Sequence, residues 1–271
     1  MASRFRFHGF AIGAAGRVSK PVPELIEVQA ATALPQIGGH GNARSANFKF
    51  RELLKFDLAH SEVTGTQCAS GDEPVFHTRI TSTVEGLNIM EMVTADRVVA
   101  TLGSTYTSDS DGEPAVRLIG TRFENLRIAG IPVEVDLATD VFDRYDTHRA
   151  LTAAYRRDED VRGLVDKLCL KHRAKEAPEH ILRWFHFGEG DELPATRGVT
   201  PISLVRGFHA RGGGLDPWGH VIHVPGFGTV RLAELEITTD TRNITMIQVD
   251  IDCAYEATMT VCSISDGGVD Y

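Results

Sequence analysis

Long apolar runs are missing from this chain: no window approaches the roughly 18 consecutive apolar residues that a membrane-spanning helix needs, so no membrane role is expected. The N-terminus also lacks the unbroken apolar run of a signal peptide, because Phe5, Phe7 and Phe10 are interleaved with polar residues. A cytoplasmic location is therefore expected, with specialised export left open. Cysteine is scarce, with residues only at Cys68, Cys169, Cys253 and Cys262 and no C-x-x-C pair, which excludes a disulfide scaffold and leaves free thiols as the default. Standard catalytic signatures are absent too: there is no G-x-S-x-G elbow, phosphate loop, H-E-x-x-H zinc helix or complete G-x-G-x-x-G. No cofactor is named by any motif, and no metal centre is expected.

What the chain does contain is strand patterning. The block Val84-Glu85-Gly86-Leu87-Asn88-Ile89 returns 39 residues later as Phe123-Glu124-Asn125-Leu126-Arg127-Ile128, and Ala233-Glu234-Leu235-Glu236-Ile237 echoes it weakly. Each block can turn an apolar face inward and a polar face to water. Alternation over residues 46–58, with Phe48, Phe50, Leu54, Phe56 and Leu58 in one phase, predicts a single long strand with one buried face. Residues 131–137 alternate in the same way, and residues 255–264 are rich in Thr, Val and Ile. An Asp111-Gly112 pair suits a hairpin turn.

Residues 143–187 differ. Good helix formers follow a capping residue near Asp146, Val161, Leu164, Val165 and Leu168 recur at helical spacing behind the acidic start at residues 158–160, and a short third helix is expected at 178–185. The fold class that follows is mainly β (α+β): a large antiparallel sandwich or distorted barrel, a single domain with a helical insertion at about 143–187. A division into β lobes at 1–139 and 188–271 is the alternative.

The net charge of -9 is unevenly spread. Residues 1–60 carry eight Lys or Arg against four Asp or Glu, whereas residues 232–271 carry one against eight. Opposite segments could meet between copies, making a homo-oligomer a candidate, while the acidic remainder disfavours nucleic acid.

Residues 206–223 form the most function-like stretch. Arg206, His209, Arg211 and His220 are candidate catalytic residues, since arginine can grip a carboxylate or phosphate and histidine can carry protons near neutral pH. Asp216, Trp218 and His223 are candidate ligand contacts. A metal clamp is disfavoured, because His220 and His223 point to opposite faces of a strand; His209 with either, joined by Asp216, is the geometry that remains. Three readings result: a binding or assembly protein, an enzyme acting on a small acidic or polar metabolite, and a β-barrel enclosing an apolar ligand. The aromatic content of 7% offers no obvious aromatic box for the last.

Overall fold

The structure is a computed structural model that describes residues 5–70, 73–107, 113–169, 176–185, 200–210 and 215–268. From the N-terminus run β1 (Gly9–Lys20), β2 (Glu24–Gln29), β3 (Thr32–Ala33), β4 (Gly39–Phe50), β5 (Leu54–Ser70), β6 (Glu73–Ile89) and β7 (Val93–Thr107). The shorter β8 (Ala115–Arg117), β9 (Arg122–Glu124), β10 (Arg127–Ile128) and β11 (Ile131–Leu137) follow. Next come α1 (Val141–Arg144), α2 (His148–Ala154), α3 (Glu159–Cys169) and α4 (Glu179–Leu182). The chain finishes with β12 (Thr200–Ser203), β13 (Val205–Ala210), β14 (Asp216–Trp218), β15 (Val221–Val224), β16 (Gly228–Ile237), β17 (Arg242–Asp252) and β18 (Glu256–Asp266).

These strands make two sheets. The first runs β14-β15-β16-β17-β18-β1-β2, with β12 on β16 and β3 on β1; the second runs β13-β11-β10-β7-β6-β5-β4, with β8 and β9 on β7. The expected β-rich sandwich is what forms, but the barrel alternative is corrected: each sheet ends in an unpaired strand among the described residues, so neither closes on itself. The first sheet joins the two ends of the described chain, since β1 pairs with β18, and the second takes β13 from beyond the helices as a partner of β11.

The inner faces meet where β1 and β18 cross β5, β6 and β7. Strand β1 is built from small residues here, with Ala11 and Ala14 fully buried, and a Cβ added to Gly13 would lie 2.7 Å from the Ala59 Cβ. Side chains that small let the sheets approach closely, while Ile80, Val84, Leu102, Val261 and Ile264 fill the remaining space. Full burial of one such aliphatic contributes about 2 kcal/mol. Polar ties also cross the gap: Ser82 Oγ donates to the Ile12 carbonyl at 2.8 Å, and Cys262 Sγ donates to the Val98 carbonyl at 3.2 Å. Burial pushes the Cys262 thiol up to about 12, so it stays protonated. Cys68, Cys253 and Cys262 are all free.

One expectation fails instructively. The alternating stretch 46–58 is not one strand but the β4–β5 hairpin, with Phe50 opposite Leu54 and Phe48 opposite Phe56, the two rings stacked 5.0 Å apart. Arg51 takes the positive φ (50°) that starts the reversal. The turn spans three residues and brings the chain back with equivalent positions facing one another, so the sequence pattern survives a reversal it cannot reveal. The helices agree with their signals: Thr147 Oγ1 accepts from Ala150 N at the start of α2, and Val161, Leu164 and Val165 of α3 are buried. The Asp111-Gly112 turn lies outside the described residues, although β7 and β8 on either side pair with Thr105 opposite Ala115.

Replacing Gly13 by Val should force the sheets apart and lower unfolding stability by about 1–3 kcal/mol. Urea denaturation of the variant beside the wild type measures this; an unchanged midpoint would contradict the close approach.

Candidate functional site

The described residues of the glycine-rich stretch are divided between the two sheets. Arg206 and His209 lie on β13 in the second sheet, whereas Trp218, His220 and His223 lie on β14, the following turn and β15 in the first. Arg206 is held among carboxylates, 2.7 Å from Asp140 and 3.8 Å from both Asp136 and Asp160. That proximity pulls the Asp140 carboxyl below its usual value through the Arg206 hydrogen bond. His209 is exposed opposite Glu134. Asp216 pairs through its backbone with His223, and Arg211 lies outside the described residues.

The first-sheet members join a closed polar cluster. His220, 1% exposed, shares a 2.9 Å hydrogen bond through Nε2 with Glu234 Oε1, and Arg231 Nη1 donates to both oxygens of the same carboxylate at 2.9 and 2.8 Å. Burial pushes the Glu234 carboxyl up, but the His220 hydrogen bond and the proximity of His220 and the Arg231 guanidinium outweigh it and hold the group below its usual value. The Trp184 ring covers the Arg231 guanidinium at 4.3 Å, and Phe185 meets the His220 ring at 5.5 Å, so the residues of α4 and its exit roof the cluster. Trp184 Nε1, Arg231 Nε and Nδ1 of both His220 and His223 are buried without a hydrogen-bond partner among the described residues. No group of His, Cys, Asp and Glu among them is arranged to hold a metal.

A different surface is open. On the outer face of the second sheet a trough of about 690 Å³ crosses β4 to β9. Strand register explains which side chains share it. Arg44 stands opposite His60, His60 opposite Thr83, Thr83 opposite Val99 and Val99 opposite Arg122. At about 4.8 Å per strand this row is about 19 Å long. Parallel to it lies the row Leu58, Glu85, Arg97, Glu124. The repeated sequence block has a structural meaning here: its two copies flank β7, so Glu85 and Glu124 reach Arg97 from opposite sides, at 2.8 and 3.6 Å. Glu124 also takes Arg122 at 2.7 Å.

Two further arginines line the trough without such neighbours. Arg44 and Arg79 have no carboxylate or hydrogen-bond partner among the described residues. Glu62, the carboxylate opposite Thr81, lies 3.6 Å from His40. The hydroxyls of Thr81 and Thr101 sit 3.5 Å apart on the floor, and Ile119 forms an exposed apolar part of the wall. Thr121 Oγ1 fixes that wall by bonding both the N–H and the carbonyl of Thr101 at 3.0 Å. Sequence reading missed this site because each arginine alone resembles a solvated strand residue. The available signal was the string Arg79-x-Thr81-x-Thr83-x-Glu85 alternating with Ile80, Ser82 and Val84.

Comparison with known proteins adds a family. The description "domain of unknown function (DUF8256)" is matched over residues 5–238. The chain belongs to the DUF8256 family. The DUF8256 match takes in every residue of the trough and the His220–Glu234 pair, and stops before β17 and β18 complete the first sheet. No curated protein and no solved structure matches the chain. No described helix is long and apolar enough to cross a membrane.

The roofed cluster should be sensitive to acid. Burial first, then the neighbouring His180 ring and the Arg183 guanidinium, depress the His223 imidazole against the opposing pull of Asp252, and the His180 ring lies 4.5 Å away. A histidine whose folded pKa is depressed favours folding fully above its unfolded value of about 6.5, and that contribution is lost as pH falls through the window below it. Both tryptophans of the chain, Trp184 and Trp218, lie in this cluster, so their fluorescence reports it directly. The fluorescence melting temperature should fall as pH drops below about 6.5, and His223→Gln should shallow that fall. Identical pH profiles for variant and wild type would contradict the assignment.

Proposed function

We propose that this protein is a binding protein whose second sheet takes an anionic ligand in the trough on its outer face. The observation that carries the reading is a pair of guanidiniums, Arg44 and Arg79, without an ion-paired carboxylate among the described residues, over an open cavity in a chain of net charge -9. Four of the lining residues are arginines and one is a glutamate, so the trough is a cationic island on an acidic molecule. Such an island concentrates anions from solution and then holds them by charge-assisted hydrogen bonds, each contributing about 1.5–3 kcal/mol.

The lining favours a small or extended acidic ligand over nucleic acid, because among the described residues no Phe, Tyr or Trp lines it to stack on a base. It disfavours an apolar ligand for the same reason, and the space between the sheets is occupied by side chains down to the contact at Gly13. The catalytic reading of residues 206–223 gains less support. His220 carries the hydrogen-bonded carboxylate that a general base needs, but Phe185 and Trp184 roof it, and Arg206 is committed to Asp140 on the other sheet.

A thermal-shift series at low salt tests the proposal. Citrate, pyrophosphate and dextran sulfate should raise the melting temperature, neutral sugars should not, and the double variant Arg44→Ala/Arg79→Ala should lose the response while melting normally by itself. Added salt should suppress the effect in the wild type. Stabilisation that persists in the double variant would place anion binding elsewhere and sink the reading.

A further inference from the structure

The two arginines that lack partners set a requirement on the ligand that goes beyond its being an anion. Each guanidinium presents five N–H donors in a planar fork. A carboxylate has two oxygens, and one fork satisfies it in a bidentate pair, as Arg231 does with Glu234 in the closed cluster. Two unpaired forks beside the hydroxyls of Thr81 and Thr83 therefore offer more donors, and more positive charge, than one carboxylate can use. A phosphate monoester supplies three terminal oxygens and a charge of about -1.5 to -2 at neutral pH, which matches two guanidiniums.

The trough is also polarised along its length. At the β4–β6 side Arg44 and Arg79 form no ion pair among the described residues and Glu62, a carboxylate of that face, lies 3.6 Å from His40, while at the β7–β9 side Arg97 and Arg122 are neutralised by Glu85 and Glu124. Val99 and the exposed Ile119 add apolar surface on the neutralised side. From the Arg44 Cα to Thr83 is two strands, about 10 Å, and from Arg79 to Thr83 is four residues along β6, about 13 Å. Both are distances that a long arginine side chain shortens substantially, so a single group above Thr81 and Thr83 can meet both.

Resting on the anion-binding reading above, we propose that the trough binds an organic phosphate. Its phosphoryl group lies between Arg44 and Arg79 over the Thr81 and Thr83 hydroxyls, and its uncharged body extends toward Val99 and Ile119. No bond is made or broken in this interaction.

Isothermal titration of the full chain with two dianions that share a benzene body, phenyl phosphate and isophthalate, tests it. Phenyl phosphate should bind at least about 10-fold tighter than isophthalate, and Arg44→Gln and Arg79→Gln should each weaken it about 10-fold or more. Arg79→Lys, which keeps the charge but loses the fork, should recover only part of that loss. Arg127→Gln, on β10 outside the trough, should change nothing, and all variants should keep the wild-type melting temperature, so that a general loss of folding is recognised. Equal affinity for the two dianions, both lost in the arginine variants, overturns the phosphoryl assignment and leaves anion binding standing. Binding of neither compound, or binding indifferent to Arg44 and Arg79, overturns both.

Discussion

Everything distinctive about this molecule follows from the two-residue period of β5, β6 and β7 being obeyed across their pairing. Ala59, Val63, Ile80, Val84, Ala100 and Leu102 all turn toward β1 and β18, and the close seating of small β1 residues against them permits no other phase. Once that choice is made the opposite set has no freedom: His60, Arg79, Thr81, Thr83 and Arg97 must share the outer face. A slip of one residue would bury arginines between the sheets at a cost of several kcal/mol per charge, so packing inside and charge display outside are one constraint seen from two sides.

The chain handles its charges in two ways, and the contrast separates scaffold from surface. Where charges are buried they are held by polar contacts: Arg231 donates to Glu234, and Arg242, fully buried on β17, donates to the Asp240 and Thr239 carbonyls. Burial pushes the Asp266 carboxyl up, opposed by its hydrogen bonds from Ser104 and Tyr106 and by Arg242. These groups tie sheets and roof together and expose little that a ligand could use. Arg44 and Arg79 are the reverse, accessible and unmatched among the described residues, and an unmatched cation on an acidic protein is available to an external anion.

The strand alternation and the helical block could be read from the residues because each depends on local periodicity or capping, as at Thr147 and along Val161, Leu164 and Val165. Pairing could not. Nothing local tells that residues 46–58 double back at Arg51, that the two Leu-x-Ile blocks embrace the same strand, or that a continuous glycine-rich stretch is divided between sheets. His220 and Trp218 did prove to sit in a polar cluster, but its partners Glu234 and Arg231 come from β16 and Trp184 from beyond α4, so the cluster exists only after folding. The trough is the extreme case, since its cations come from four strands.

Thiol accessibility at two adjacent positions on β6 tests that alternation most directly. Thr83→Cys and Ser82→Cys are each exposed to iodoacetamide under native conditions, and modification is read peptide by peptide so that the native cysteines do not interfere. Cysteine at position 83 should react readily and be slowed by pyrophosphate, while cysteine at position 82, whose native side chain is fully buried and bonds Ile12 across the sheets, should stay protected until the protein unfolds. The opposite order of reactivity would mean that the arginine face points inward, and the sandwich described here would be wrong.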